Sequence, residues 1–124
     1  MATTRGAKTR AGQKWTEARF FAFIRSALRR AWSRYPVRFD ALKSSRRAYS
    51  GPNTRQKWEF RCSACQKWHM AKEVQVDHIT PCGPLNSFDD LPGFVKRLFP
   101  EKEGLAILCK PCHKTKTQNE RNMK

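Results

Sequence analysis

At 124 residues the chain suits one small domain with a modest core and is too short for two ordinary ones. Its 26 basic residues against 10 acidic ones leave a formal charge of +16, which strains a compact monomer unless a polyanion is the usual partner, and nucleic acid is the leading candidate. No apolar run reaches membrane-spanning length and residues 1–14 lack the apolar segment of a secretory signal, so a membrane partner is excluded and a cytoplasmic protein is expected.

Residues 1–14 are rich in Thr, Gly, Lys and Arg without apolar periodicity, which predicts a disordered basic arm that orders on a phosphate backbone. From Trp15 to Arg34, Phe20, Phe21, Ile24, Ala27, Leu28, Ala31 and Trp32 recur at helical spacing, a core-facing stripe. Arg25, Arg29 and Arg30 fall on other faces, where they are either a solvated surface or a phosphate track. Pro36 is expected to stop this helix, and residues 43–57 have the composition of an exposed loop. The first 49 residues hold 13 basic and 2 acidic side chains against 13 and 8 in the remainder. The division predicted is a basic arm over 1–14, a basic helical extension over 15–49 and a chemical module over 50–124.

Within that module, residues 57–61 and 73–79 read as short strands, the second broken by Pro81, Gly83 and Pro84. Ser87 with Asp90 three residues on matches a helix-start box ahead of Leu91, Phe94, Val95, Leu98 and Phe99. Residues 105–109 form a short apolar strand, and Pro111 opens a helix running through His113 towards Arg121.

Two C-x2-C knuckles, Cys62/Cys65 and Cys109/Cys112, stand with 43 residues between them. A two-residue gap lets both sulfurs of a knuckle reach one ion, and two knuckles complete a tetrahedral four-sulfur site, so structural Zn2+ is expected rather than a redox dithiol. His69 is read as a surface or packing histidine, because recruiting it as a ligand would strand one thiolate. Cys82 is left over and is expected to be a buried or lightly exposed free thiol.

Between the knuckles lies Val76-Asp77-His78, and His113 follows the second knuckle directly. Neighbouring side chains on a strand face opposite ways, so one can hold a metal while the other orients a water. An Asp77 oxygen with a His113 nitrogen suits a divalent cation, and a neutral imidazole at His78 can accept a proton from water near neutral pH. Taken alone, Asp77-His78 is also what a hydrogen-bonded structural pair looks like.

The stretches VDHITP, LAILCKPCH and KTKT, over residues 58–119, resemble the HNH endonuclease family in its four-cysteine zinc branch, and VDHITPCG with GLAILCKPCHKTKT looks most like small bacteriophage HNH proteins. The resemblance implies an α+β protein with a small ββα-metal core clamped by the four-cysteine zinc site and carrying an N-terminal basic helical extension. It implies a DNA endonuclease using Mg2+ or Mn2+, with Asp77 and His113 as ligands, His78 as general base, and products bearing 5′-phosphate and 3′-hydroxyl ends. Lys114, Lys116 and Arg121 are then phosphate contacts or a solvated helix face, and no small-molecule cofactor is called for. Gly104 departs from the pattern, since many members carry Asn there to brace the loop and the base. The alternatives are a zinc-stabilised DNA-binding module without catalysis and an accessory of a phage DNA-processing or packaging complex; a phage-encoded protein would work in the host cytoplasm.

Overall fold

The computed structural model describes residues 6–122, and the chain divides into two compact units. One takes residues up to Tyr35 together with Thr80–Phe99, and the other takes Pro36–Ile79 together with residues 100 onward.

The first unit opens with a small antiparallel ladder between β1 (Lys8–Arg10) and β2 (Trp15–Thr16). Ala11, Gly12 and Gln13 all take positive φ, which reverses the chain over three residues, and the Lys14 N–H donates to the Arg10 carbonyl at 3.1 Å. Residues 8–14 are thus structured where a disordered arm was predicted; residues 1–5 of that arm lie outside the described residues. The cause is tertiary: the Arg10 guanidinium pairs with Glu17 at 2.9 Å and lies over the rings of Phe20 and Phe88, 5.0 Å from each.

Helix α1 (Glu17–Trp32) starts where the Thr16 hydroxyl accepts the Arg19 N–H at 3.2 Å, with Glu17 in the first turn and Arg29 and Arg30 in the last, both favourable to the helix dipole. Its apolar stripe buries Phe21 and half-buries Phe20, Ile24, Leu28 and Trp32 against Leu85, Phe94, Leu98 and Cys82. Cys82 is therefore a buried core thiol. Helix α3 (Leu91–Leu98) supplies Phe94 and Leu98, both fully buried. The predicted start box takes another form: the Ser87 side chain makes no cap, and the Asp90 carboxylate reaches back to accept the Asn86 N–H at 2.9 Å.

In the second unit, Pro36 ends one helix by opening another, α2 (Pro36–Ser44), because its fixed φ and missing N–H suit a first helical position. The predicted loop over 43–57 contains β3 (Arg46–Ala48), which joins β4 (Trp58–Arg61) and β5 (Trp68–His69) in an antiparallel sheet of order β3-β4-β5. Strands β6 (Val74–His78) and β7 (Leu105–Cys109) form a separate antiparallel ladder, pairing Val74 with Cys109, Asp77 with Ala106 and His78 with Leu105. Helix α4 (Lys110–Asn122) follows β7 without a break and packs on both strands. The Gly104 carbonyl accepts the Ile79 N–H at 2.9 Å, a backbone tie one residue past His78. A Cβ at Gly104 would stand 2.9 Å from the Pro100 Cβ, which explains why no side chain is carried there. The chain is a mixed α+β protein with three small sheets and four α-helices among the described residues. No helix among them is long and apolar enough to cross a membrane.

Candidate metal centre

The end of β4 and the start of α4 bring the four cysteines together. Cys62 follows β4 directly and turns through Ser63-Ala64-Cys65, with Gln66 at φ +66° and its N–H donating to the Cys62 carbonyl at 3.0 Å. The Ser63 N–H donates to the Ile107 carbonyl at 2.8 Å and ties this knuckle to β7. Cys109 is the last residue of β7 and Cys112 lies in the first turn of α4. One sulfur from each cysteine lies within 4.8 Å of all the others, and the Cys65 and Cys109 sulfurs are 3.9 Å apart. A tetrahedral ion with sulfurs at about 2.3 Å separates them by about 3.8 Å. The four cysteines are thus close enough to hold one metal ion such as zinc.

Their protonation points the same way. Burial acts to raise the Cys62 thiol, yet backbone hydrogen bonds from Cys65, Cys109 and Ala64 outweigh it and bring it down to about 6. Cys112 is pushed up to about 12 by its contact with the Cys109 sulfur and by burial, and burial also raises Cys109. One thiolate forms readily and makes its neighbours hold their protons, so four thiolates together need a compensating cation.

His69, read from sequence as a bystander, belongs to this neighbourhood. Its Nε2 lies 3.8 Å from the Cys65 sulfur, placed there by the β4-β5 register that pairs it with Phe60. An imidazole beside a ligand sulfur orients it and tempers its charge without leaving any thiolate unpaired.

A second constellation forms where β6 meets α4. The Asp77 Oδ1 lies 3.4 Å from the His113 Nε2, and its Oδ2 is 2.5 Å from the Lys116 ammonium. Lys116 also donates to the His78 carbonyl at 2.8 Å and pairs with Glu120 at 3.0 Å. Burial acts to lower the Lys116 pKa, but Asp77 and Glu120 outweigh it and hold the amine protonated. Spacing of three along α4 sets His113 and Lys116 on the one face that meets Asp77. Strand alternation assigns His78 to the other face, beside Val76, where it is half-buried. Among the described residues the cysteines are the one group of three or more potential ligands that converges so tightly; Asp77 and His113 meet as a pair.

No protein-family model, curated protein or solved structure matches the chain.

The remaining predicted contacts separate into bound and available side chains. Lys114 and Arg121 line a cavity of about 430 Å³ whose wall also includes Gln75, Lys110 and His113. Lys116 is engaged by Asp77. Arg25 donates to the Leu85 carbonyl at 2.9 Å and so works inside the first unit, Arg29 lies over the Phe94 ring at 5.9 Å, and Arg30 is exposed. Lys110, beside His113 in the same cavity, was missed in sequence; its position four residues before Lys114 on a helix was the available signal.

Proposed function

We propose that the protein is a metal-dependent HNH-type endonuclease that hydrolyses DNA phosphodiester bonds. The observation that carries this reading is the approach of Asp77 and His113 to 3.4 Å, from a strand and a helix joined through a four-cysteine cluster, with His78 next in the chain to Asp77. Two neighbouring ligands at about 2.1 Å from one cation lie about 3 to 3.4 Å apart, so the pair fits a divalent ion such as Mg2+ or Mn2+. When bound there, such an ion would stabilise negative charge on the leaving oxygen.

The chain's own residues supply the rest. Asp77 and His113 would hold the cation, and for His78 to take a proton from the attacking water its ring has to turn round the end of β6 towards that ion. Lys110, Lys114 and Arg121, around the cavity that contains His113, hold the phosphate backbone by charge. The reading includes the ββα-metal core for β6, β7 and α4, with zinc in the cysteine cluster as its structural ion.

One observation favours a second reading. The Asp77 charge is already matched by Lys116, as in a purely structural ion pair, which suits a zinc-stabilised DNA-binding module without catalysis. Supercoiled plasmid incubated with zinc-loaded protein plus Mg2+ or Mn2+ separates the two. The nuclease nicks it and His78→Ala does not, while both proteins bind DNA. Binding without nicking by either refutes cleavage, and nicking by both removes His78 from the mechanism.

A further inference from the structure

The second unit contains a groove of about 390 Å³ that shares no residue with the Asp77–His113 pair or with α4. Its walls carry three cations, Arg46, Arg61 and Lys102, and three hydroxyls, Ser44, Ser45 and Ser63. They come from the end of α2, from β3, from either side of Cys62 and from the turn before β7. The Arg61 N–H bonds the Ser45 carbonyl at 3.0 Å, the Ser63 N–H bonds the Ile107 carbonyl, and Lys102 donates to the Ser44 hydroxyl at 3.3 Å. Backbone ties on two sides therefore fix the groove.

Its charge is uncompensated. Among the described residues, the ion pairs engage Arg10, Arg47, His113 and Lys116, and none of the three groove cations is paired with a carboxylate. Ser44 and Ser45 donate their hydroxyl protons to the Asp40 and Leu42 carbonyls, so the donors left around the cavity are the cations and the Ser63 hydroxyl, a set suited to an anion whose oxygens accept several hydrogen bonds, as those of a phosphate do.

The surroundings extend beyond one phosphate. On the sheet face that carries Arg61, the Arg47 guanidinium lies 3.8 Å from the ring centre of Trp68, which lines the groove, while the Arg46–Trp58 stack, at 3.9 Å, lies on the opposite face. A guanidinium stacked on an indole beside a cationic groove suits a polymer with phosphates and flat bases in series better than a small anion.

We infer that this groove binds a nucleic-acid strand, seating one phosphodiester among Arg61, Lys102 and the Ser63 hydroxyl and presenting the Trp68 side of the sheet to its bases. The inference rests on the reading of the chain as a nucleic-acid binder and not on cleavage.

The test measures binding alone. Zinc-loaded protein without added Mg2+ or Mn2+ is titrated into a fluorescently labelled oligonucleotide at several salt concentrations, as the parent, Arg61→Gln/Lys102→Gln and a control, Lys72→Gln. The groove variant is expected to lose about five- to tenfold in affinity per charge at about 0.1 M salt, with the log–log salt slope falling by about 0.7–0.9 per charge. The control should stay within about twofold. Parent affinity and slope in the groove variant overturn the proposal. So does a variant that keeps strand binding but loses competition by inorganic phosphate, since the groove then takes free anions only. Photocross-linking of a 5-iodouracil oligonucleotide to the parent gives a result that does not depend on variant folding. Adducts at Trp68 support the groove, and adducts confined to α4 or to Trp58 on the opposite face refute it. Because nothing in these measurements reads nicking, an inactive parent leaves them decisive.

Discussion

Replacing Cys62 by serine should remove zinc and much of the second unit's stability together. Cys62 is fully buried, and its knuckle is joined to the other across 43 residues of chain. Treated as a cross-link closing a loop of that length, the ion restricts the unfolded chain by about 4 kcal/mol. For a chain of this size that corresponds to a fall in Tm of about 10–20 °C. Zinc per chain is measured by mass spectrometry and Tm by circular dichroism, with the parent treated with a chelator as reference. The variant should match the chelated parent, whereas Cys82→Ser, in the core of the first unit, should keep its zinc whatever it does to Tm. Full zinc occupancy in Cys62→Ser with Tm within about 2 °C of the parent would refute the ligand set.

Lys116→Met removes the ammonium that shares Asp77 with the proposed divalent cation, so calorimetry should show Mn2+ binding tighter by on the order of tenfold; weaker binding would mean that Lys116 organises the carboxylate instead of competing for it. Gly104→Ala forces a Cβ to within 2.9 Å of the Pro100 Cβ and should cost about 1–3 kcal/mol in denaturant unfolding, and an unchanged midpoint would show that the turn yields freely. Zinc binding should release protons from Cys109 and Cys112, whose pKa values are raised, so affinity rises with pH. Below about 6 Cys62 is protonated as well, and the dependence should steepen by one proton; calorimetry in buffers of different ionisation enthalpy measures this, and a pH-independent affinity would contradict it.

The cysteine cluster was legible in sequence because its geometry is local twice over: each C-x2-C turn fixes two sulfurs, and thiolate chemistry then demands that the pairs meet. Strand β6, strand β7 and helix α4 were legible for a similar reason, since EVQVDHI, LAILC and a proline-led helix each carry a recognisable local pattern. Local pattern fails where a distant partner decides. Residues 8–14 have no apolar period, and their ladder is held by Arg10 reaching Glu17 and two phenylalanine rings. Residues 80–99 pack with α1 through Phe94, Leu98 and Leu85, a choice invisible in either segment alone. Pro36 carried an ambiguous signal, because the same missing N–H that ends one helix suits the first turn of the next.

Lys116 shows how charge counting misleads at a candidate site. In a run of lysines on a basic helix it reads as one more phosphate contact, yet its amine is spent on Asp77, the His78 carbonyl and Glu120. The same geometry links the two candidate metal positions. Cys112 belongs to the sulfur cluster, and His113 is the next residue on the first turn of α4, so whatever fixes that sulfur fixes the origin of the helix that carries both His113 and Lys116 to Asp77. Strand β6 closes the circuit, since Val74 pairs with Cys109 at one end and Asp77 lies three residues along. An ion held by the cluster would therefore act on the Asp77 constellation through one peptide link on the helix side and three on the strand side. Those paths are too short for α4 to shift without the carboxylate losing its partners.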